Sequence, residues 1–511
     1  MVIKEQENKV VRHLFPTLAN IIWVGIFFTV LLRGHQMLNA DGDFPMHLNL
    51  GRYILTEGRI PLKDVFSHTL AGQPVMQHEW LTCLFYAITE RFLGLGGPVL
   101  ISAILIATSL TLVFKCLQKE NKTLLSAVLV ILLVSLNSIL HWLIRPHLST
   151  FLLLALWMLV LNDLYQEKHQ HWWLLPVIML FWVNLHGGFV AGFLTWFIYG
   201  FGVISEKIFN KESACSGLPK EFWRNYLLGG FTAFIASLLN PSGFGLWTGI
   251  LSHLGNKYLA DITYEFQSPN FHEISFWPFM ILIGMLVVVI GMTKKPRKFG
   301  LLFCTAVWLL MGLYSARHIP LFGIVAAPLL AGGLDEIFEN IPLKNKFMTR
   351  LGVINTRVRE IDSQLKGVFW VVLSIVIAVV GLGLGLRFDA EGQGYVFDPE
   401  EFPVEAVDWI EENPQEGKMF NEFLWGGYLQ YRLWPEKQVF IDSKADFYGE
   451  DFIRIYLQVV NLEEDWETVL DKYQLEWVIL QKNSKAAKAI EDDLGWYLVY
   501  EDTTALILRK E

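Results

Sequence analysis

Long apolar runs in which ionisable residues are almost absent constrain this chain more than any other feature. They can be drawn at 15–33, 98–115, 123–141, 148–165, 172–185, 188–205, 226–240, 275–292, 300–315, 319–335 and 368–386. Where water is excluded, every backbone N–H and C=O must find a partner within its own segment, so each run is read as a helix. None shows the apolar–polar alternation of a barrel strand. The expectation is an α-helical polytopic membrane protein with about 11 transmembrane helices. Several runs fall short of the roughly 20 residues that a perpendicular span needs, so some are read as tilted or re-entrant. The first has no small-residue cleavage site and opens a whole series, which marks a retained anchor rather than a signal peptide. The stretch 80–93 is apolar but carries Glu90 and Arg91, and it is read as an interfacial helix.

Charge divides the 511 residues into two differently solvated parts. From Phe388 onward there are 28 acidic and 11 basic residues, a net −17; the first 387 residues hold 22 and 30, a net +8. The expected organisation is a membrane module over 1–387, with a large outer loop at 34–97, and a soluble α/β domain over 388–511. The acidic part would repel phosphate backbones, which argues against nucleic acid as a partner. Cys83, Cys116, Cys215 and Cys304 lie far apart without metal-type spacing.

Loop charges set the orientation. With the N-terminus cytoplasmic, the inside loops carry 21 Lys and Arg against 8 outside before the tail. An odd number of spans then places the acidic domain outside, in a multi-pass plasma-membrane protein. On that topology the distinctive polar clusters all fall on the outer side: Asp41-Gly42-Asp43, His78-Glu79-Trp80, Arg145-Pro146-His147, Asn184-Leu185-His186, Asn240-Pro241-Ser242, Glu265-Phe266-Gln267 and Arg317-His318. A transporter would keep such groups near mid-membrane, in broken helices. In the tail, Pro403–Glu412 reads as a helix, as do 451–460, 466–473 and 484–492. The strands are expected at 439–441, 477–480, 496–500 and 505–508.

Carboxylates opening a long outer loop suit acid–base work or cation binding. Asp41 and Asp43 are two apart, and a helix over 44–56 puts Asp43 and His47 on one face at its start. Either aspartate can act as a general base toward a hydroxyl, or can simply cap that helix. If a divalent cation (Mg or Mn) binds, Asp41, Asp43 and His47 are its candidate ligands. Arg145 and Arg317, the latter beside His318, suit bidentate capture of phosphate, or snorkel at the interface. His47, His78, Glu79, His147 and His186 are candidates for supporting or acceptor-binding roles.

These features resemble the GT-C superfamily, membrane glycosyltransferases that use polyprenyl-phosphate-linked donors. The likeness rests on the early span, the acidic first outer loop, the second outer loop with Arg145-Pro146-His147, and a C-terminal soluble domain. Asp43-Phe-Pro-Met-His47-Leu, Gly51-Arg52, Gly58-Arg59-Ile-Pro61, His78-Glu79-Trp80 and Asn184-Leu-His186-Gly187-Gly188 are similar to strings in a bacterial branch of that type. The resemblance implies a sugar donor on polyprenyl phosphate, with membrane lipids around it, and an extracytoplasmic glycan, lipid or protein acceptor. It makes Asp43, or else Asp41, the catalytic group, and assigns the lipid phosphate to Arg145 and Arg317. Trp425-Gly426-Gly427-Tyr428 is similar to the Trp-Trp-Asp-Tyr-Gly motif of oligosaccharyltransferases but lacks its second Trp and its Asp, so peptide recognition is not implied. The rival reading from the residues alone is a non-catalytic receptor or assembly protein whose tail binds a partner, and more remotely a transporter.

Overall fold

The computed structural model describes residues 12–120, 123–166, 171–209, 218–254, 258, 261, 263–294, 297–340 and 346–510. Lys4, Lys9, Lys122, Lys168, Lys211, Lys257, Lys295 and Lys344, all counted for orientation, and Cys215 lie outside these residues.

All eleven apolar runs lie on helices, and length divides them. Among the described residues seven helices are long and apolar enough to cross a membrane: Arg12–Leu32, Gly96–Glu120, Leu124–His141, Leu148–Tyr165, Gly187–Phe209, Ile274–Met292 and Ala316–Asn340. An eighth span results if Gly352–Gln364 and Val368–Gly383, bent by 72° at their junction, are taken together. Leu174–Leu185 and Phe299–Tyr314 are apolar but shorter, and Lys220–Ser237 covers the remaining run. At about 1.5 Å per residue, 12 to 16 residues rise roughly 18–24 Å, less than the ~30 Å hydrocarbon core. The bundle interior is filled by fully buried Trp157, Trp182 and Trp308. Two of their indole N–H groups are satisfied by threonines on neighbouring helices, Trp182 by Thr150 at 2.9 Å and Trp308 by Thr195 at 3.0 Å.

The loop 34–97 is an ordered platform. The helix Asp43–Glu57 begins with an acidic residue in its first turn and ends at Gly58, whose φ of 66° forms a left-handed cap. Its apolar stripe (Phe44, Leu48, Ile54) packs on the helix Trp80–Leu93. Gly51 lets the two backbones meet: a Cβ there would lie 2.0 Å from the Cys83 carbonyl oxygen. Between these helices the chain is stitched to the C-terminal domain. His68 Nε2 donates to Met419 O at 2.9 Å, and the Thr69 hydroxyl donates to Phe440 O at 2.7 Å.

The C-terminal domain holds a four-stranded sheet in the order β1-β2-β4-β3: β1 Lys418–Asn421, β2 Leu475–Gln481, β3 Tyr497–Glu501 and β4 Ala505–Arg509. β1 and β2 are parallel, with Met419 opposite Trp477, and the remaining pairs are antiparallel. The crossover between β1 and β2 carries the helices Gly426–Leu433, Ala445–Val460 and Trp466–Lys472. One expectation is corrected. The stretch 439–441 is no strand of this sheet; it makes a single parallel bridge, Val439 to Ser67, and its backbone is held by the Asn421 side chain. The first strand is instead β1, only four residues long and too short to show a pattern. The helix Gly426–Leu433 also went unforeseen, because a Gly-Gly start has poor helix propensity.

Those two glycines have a packing reason. A Cβ on Gly426 would meet the Ile441 carbonyl oxygen at 2.1 Å, and one on Gly427 the Gly42 carbonyl oxygen at 2.6 Å. Gly42 itself abuts the Leu424 carbonyl, where a Cβ would come within 2.1 Å. The Asp-Gly-Asp turn and the Trp-Gly-Gly-Tyr segment are therefore two halves of one close backbone contact.

Gly51→Ala is expected to cost about 1–3 kcal/mol by forcing the platform helices apart. Gly25→Ala, where nothing lies within 4 Å of the added methyl, is expected to be neutral or stabilising. Thermal midpoints of the purified variants in one detergent compare the two.

Candidate functional site

Arg145 brings three distant segments together. It sits in the turn between the short helix Ile139–His141 and the helix Leu148–Tyr165. Its Nε donates to Asp41 Oδ2 at 2.8 Å, its Nη2 lies 2.9 Å from Asp43 Oδ2, and its Nη1 lies 3.4 Å from Glu265 Oε1. Arg317 approaches the same Glu265 oxygen at 3.8 Å and lies over the Phe266 ring at 5.1 Å. Glu265 is delivered by a short helical turn, Tyr264–Phe266, which the Ser315 hydroxyl and the Ala316 N–H tie to the Arg317 segment.

The two aspartates are not equivalent. Asp41 Oδ1 accepts the Asp43 N–H at 2.9 Å and its other oxygen accepts from Arg145, so it closes the turn that starts the helix, as a capping residue does. Asp43 is the more open, its side chain 25% exposed against 17% for Asp41. Burial raises the Asp41 pKa, outweighing the attraction of Arg145, and the charge of Asp43 pushes it further up. Burial also works against ionised Glu265, but Arg317 and then Arg145 prevail and hold it down to about 2. Two guanidiniums face three carboxylates, so this cluster carries an excess negative charge and can accept a proton.

Beside it lies a second group built on Glu79. His47 Nδ1 is 3.7 Å from Glu79 Oε2, while His186 Nε2 and His78 Nε2 stand 3.5 and 3.7 Å from Oε1. Burial raises the Glu79 pKa and lowers those of the imidazoles, His47 and His78 to about 4 and His186 well below its usual value, so all three rings are neutral at pH 7. The tautomer of His186 follows from its partners: Nδ1 accepts the Gly188 N–H at 3.0 Å and the Thr150 hydroxyl at 2.8 Å, leaving the proton on Nε2 toward Glu79. Cys83 Sγ lies 3.6 Å from His47 Nδ1, but the thiol is fully buried and its pKa is raised far above the usual range by burial, so it is packing rather than a nucleophile.

Set against the sequence reading, the structure gathers Asp41, Asp43, Arg145 and Arg317 in one cluster and His47, His78, Glu79 and His186 in its neighbour. His147 links them only indirectly; its Nε2 donates to the His141 carbonyl at 2.8 Å. The His318 ring lies against Trp308, with centroids 5.9 Å apart. Two expectations change. Asp41, Asp43 and His47 do not converge as metal ligands, because the aspartates clasp Arg145 and His47 turns to Glu79. Among the described residues no group of three or more His, Cys, Asp or Glu is arranged to hold an ion. Arg145, expected to grip phosphate, directs its nitrogens to carboxylates, and Arg317 is the more open cation, its side chain 34% exposed. Glu265 was seen in the sequence only as part of an outer polar cluster. Its partnership with Arg145 spans 120 positions and has no local signature.

Comparison with solved structures decides the fold. An archaeal oligosaccharyltransferase, AglB from Archaeoglobus fulgidus, in complex with an inhibitory peptide and a dolichol-phosphate, superposes with a TM-score of 0.57. The identity is 13%, over 90% of this chain and 69% of that one. ArnT from Cupriavidus metallidurans, bound to undecaprenyl phosphate, gives 0.52 at 12% identity, over 96% and 97% of the two chains. The chain has the GT-C fold. No protein-family model matches the sequence, and no curated protein sequence matches it. At such identities the likeness concerns the fold alone.

The groups with lowered pKa values weaken the folded state on acidification in two stages, opposed by Asp41 and Glu79, whose raised pKa values make protonation favour the folded state. Between pH 6.5 and about 4 the unfolded chain protonates its histidines while native His47 and His78 stay neutral, so stability falls by at most about 1.4 kcal/mol per pH unit for each ring. Between 4.5 and about 2, the contribution of Glu265, fully present above 4.5, is lost as well. Thermal midpoints measured across pH 2–7 check both stages. His47→Gln is expected to flatten the upper stage.

Proposed function

We propose that this chain transfers a sugar from a polyprenyl-phosphate-linked donor to a hydroxyl acceptor on the non-cytoplasmic side of the plasma membrane. The observation that carries the reading is the half-buried Asp43 carboxylate, oriented by Arg145, whose partner Glu265 is also approached by the more open Arg317, within a GT-C fold. Two solved structures with this architecture hold a dolichol-phosphate and undecaprenyl phosphate.

In this reading Asp43 takes the acceptor's proton as the acceptor oxygen forms its bond to the anomeric carbon. The bond from that carbon to the phosphate oxygen breaks, and its electron pair leaves on the lipid phosphate. Arg317 faces the charge that develops there. Arg145 holds the Asp43 carboxylate in one orientation while its contacts to Asp41 and Glu265 keep the guanidinium in place. The excess of Lys and Arg in alternate loops supports a cytoplasmic N-terminus and an extracytoplasmic C-terminal domain.

The test is transfer of a radiolabelled sugar from its polyprenyl phosphate by the full chain in proteoliposomes. Asp43→Asn is expected to lower kcat by about 10²–10⁴-fold, the usual contribution of a general base. Asp41→Asn, whose amide oxygen still accepts the Asp43 N–H, is expected to lose less. Equal turnover by Asp43→Asn and wild type would remove Asp43 from the reaction.

A further inference from the structure

We propose that Lys444, on the C-terminal domain, is a phosphate-binding residue of the same site, completing with Arg317 a two-cation cradle for the donor's lipid phosphate. The inference rests on the lipid-phosphate reading above.

Lys444 stands at the start of the helix Ala445–Val460, where its own N–H donates to Asp442 Oδ1 at 2.8 Å. Asp442 is in turn held by the Gln430 side chain, so the loop that carries Lys444 is anchored inside its domain. From there the side chain crosses to the outer loop. Its ammonium donates to Gln77 Oε1 at 2.9 Å and to the Met76 carbonyl at 3.2 Å, immediately before His78 and Glu79.

The nature of these partners is what matters. An amide oxygen and a carbonyl oxygen fix the position of the nitrogen but neutralise none of its charge. Among the described residues no carboxylate lies within 4 Å of the ammonium, whereas Lys482 has Glu501 at 3.1 Å and Lys510 has Asp471 at 2.7 Å. An ammonium has three donors, and two are used. Ser443, the preceding residue, reaches the Gly42 carbonyl at 3.5 Å, so the loop touches the Asp41–Asp43 turn as well. Arg317 and Lys444 both act electrostatically on His78 and Glu79, which places the two cations around one pair of residues.

The chemistry asks for a second cation. A lipid phosphodiester carries one negative charge, and the departing lipid phosphate approaches two. Arg145 is committed to three carboxylates, and Arg317 shares its charge with Glu265. Lys444, hydrogen-bonded only to neutral oxygens and facing Glu79, Asp64 and Asp442 at longer range, supplies a further positive charge at the junction of the two domains, where the phosphate charge develops.

The experiment measures equilibrium binding of undecaprenyl phosphate, and of the uncharged polyprenol of equal length, to the full chain in nanodiscs. Lys444→Met is expected to raise the Kd for undecaprenyl phosphate about tenfold, the scale of one charge-assisted hydrogen bond, and to leave polyprenol binding unchanged. Lys444→Arg should restore most of the affinity. Inorganic phosphate should compete with the lipid less well on Lys444→Met than on wild type. Should the Met variant not fold, Lys444→Gln, which keeps a donor for Gln77 but no charge, reads the same quantity. Unchanged lipid-phosphate affinity in these variants, or an equal loss of polyprenol binding, would overturn the role of Lys444 alone. A wild type that binds polyprenol as tightly as its phosphate would overturn the lipid-phosphate reading of the whole site.

Discussion

The guanidinium of Arg145 is the constraint on which the candidate site of this protein depends. It joins the Asp-Gly-Asp turn to the Glu265 segment, which are more than two hundred residues apart in sequence. Three carboxylates brought this close would repel one another by several kcal/mol without a cation among them, and removing the arginine would leave them unpaired in a poorly solvated place. The same contact orients Asp43 and spares Arg317 from most of the local negative charge. Structure and proposed reactivity thus follow from one balance of charges.

A second constraint is steric. Gly42, Gly426 and Gly427 allow two backbones to touch where any side chain would force them apart. This fixes the C-terminal domain against the opening turn of the loop 34–97, and it explains why the Lys444 loop reaches the site. The Trp-Gly-Gly-Tyr segment, similar in sequence to an acceptor-reading motif, owes its glycines to this contact.

The Glu79 group illustrates how burial chooses protonation states. Three imidazoles around one carboxylate suggest a charged network, yet desolvation opposes every charge there and keeps the rings neutral at pH 7. The Trp182–Thr150–His186 chain of hydrogen bonds then holds one tautomer facing Glu79.

Much of this architecture is written in the sequence. Exclusion of water dictates helices wherever apolar runs are long, so their positions could be read from residue type alone, and Asp43, Arg145 and Arg317 stood out as polar groups beside such runs. Local patterns also foretold the helix Asp43–Glu57 and three of the four tail strands. What only the tertiary structure decided is pairing: that Arg145 clasps carboxylates instead of standing free, that His47 belongs to Glu79, that Glu265 and Lys444 reach the site, and that 439–441 lies against the outer loop. A charge or a hydrogen-bond donor is local, but its partner is chosen by the packing of segments hundreds of residues apart, and no short-range periodicity carries that information.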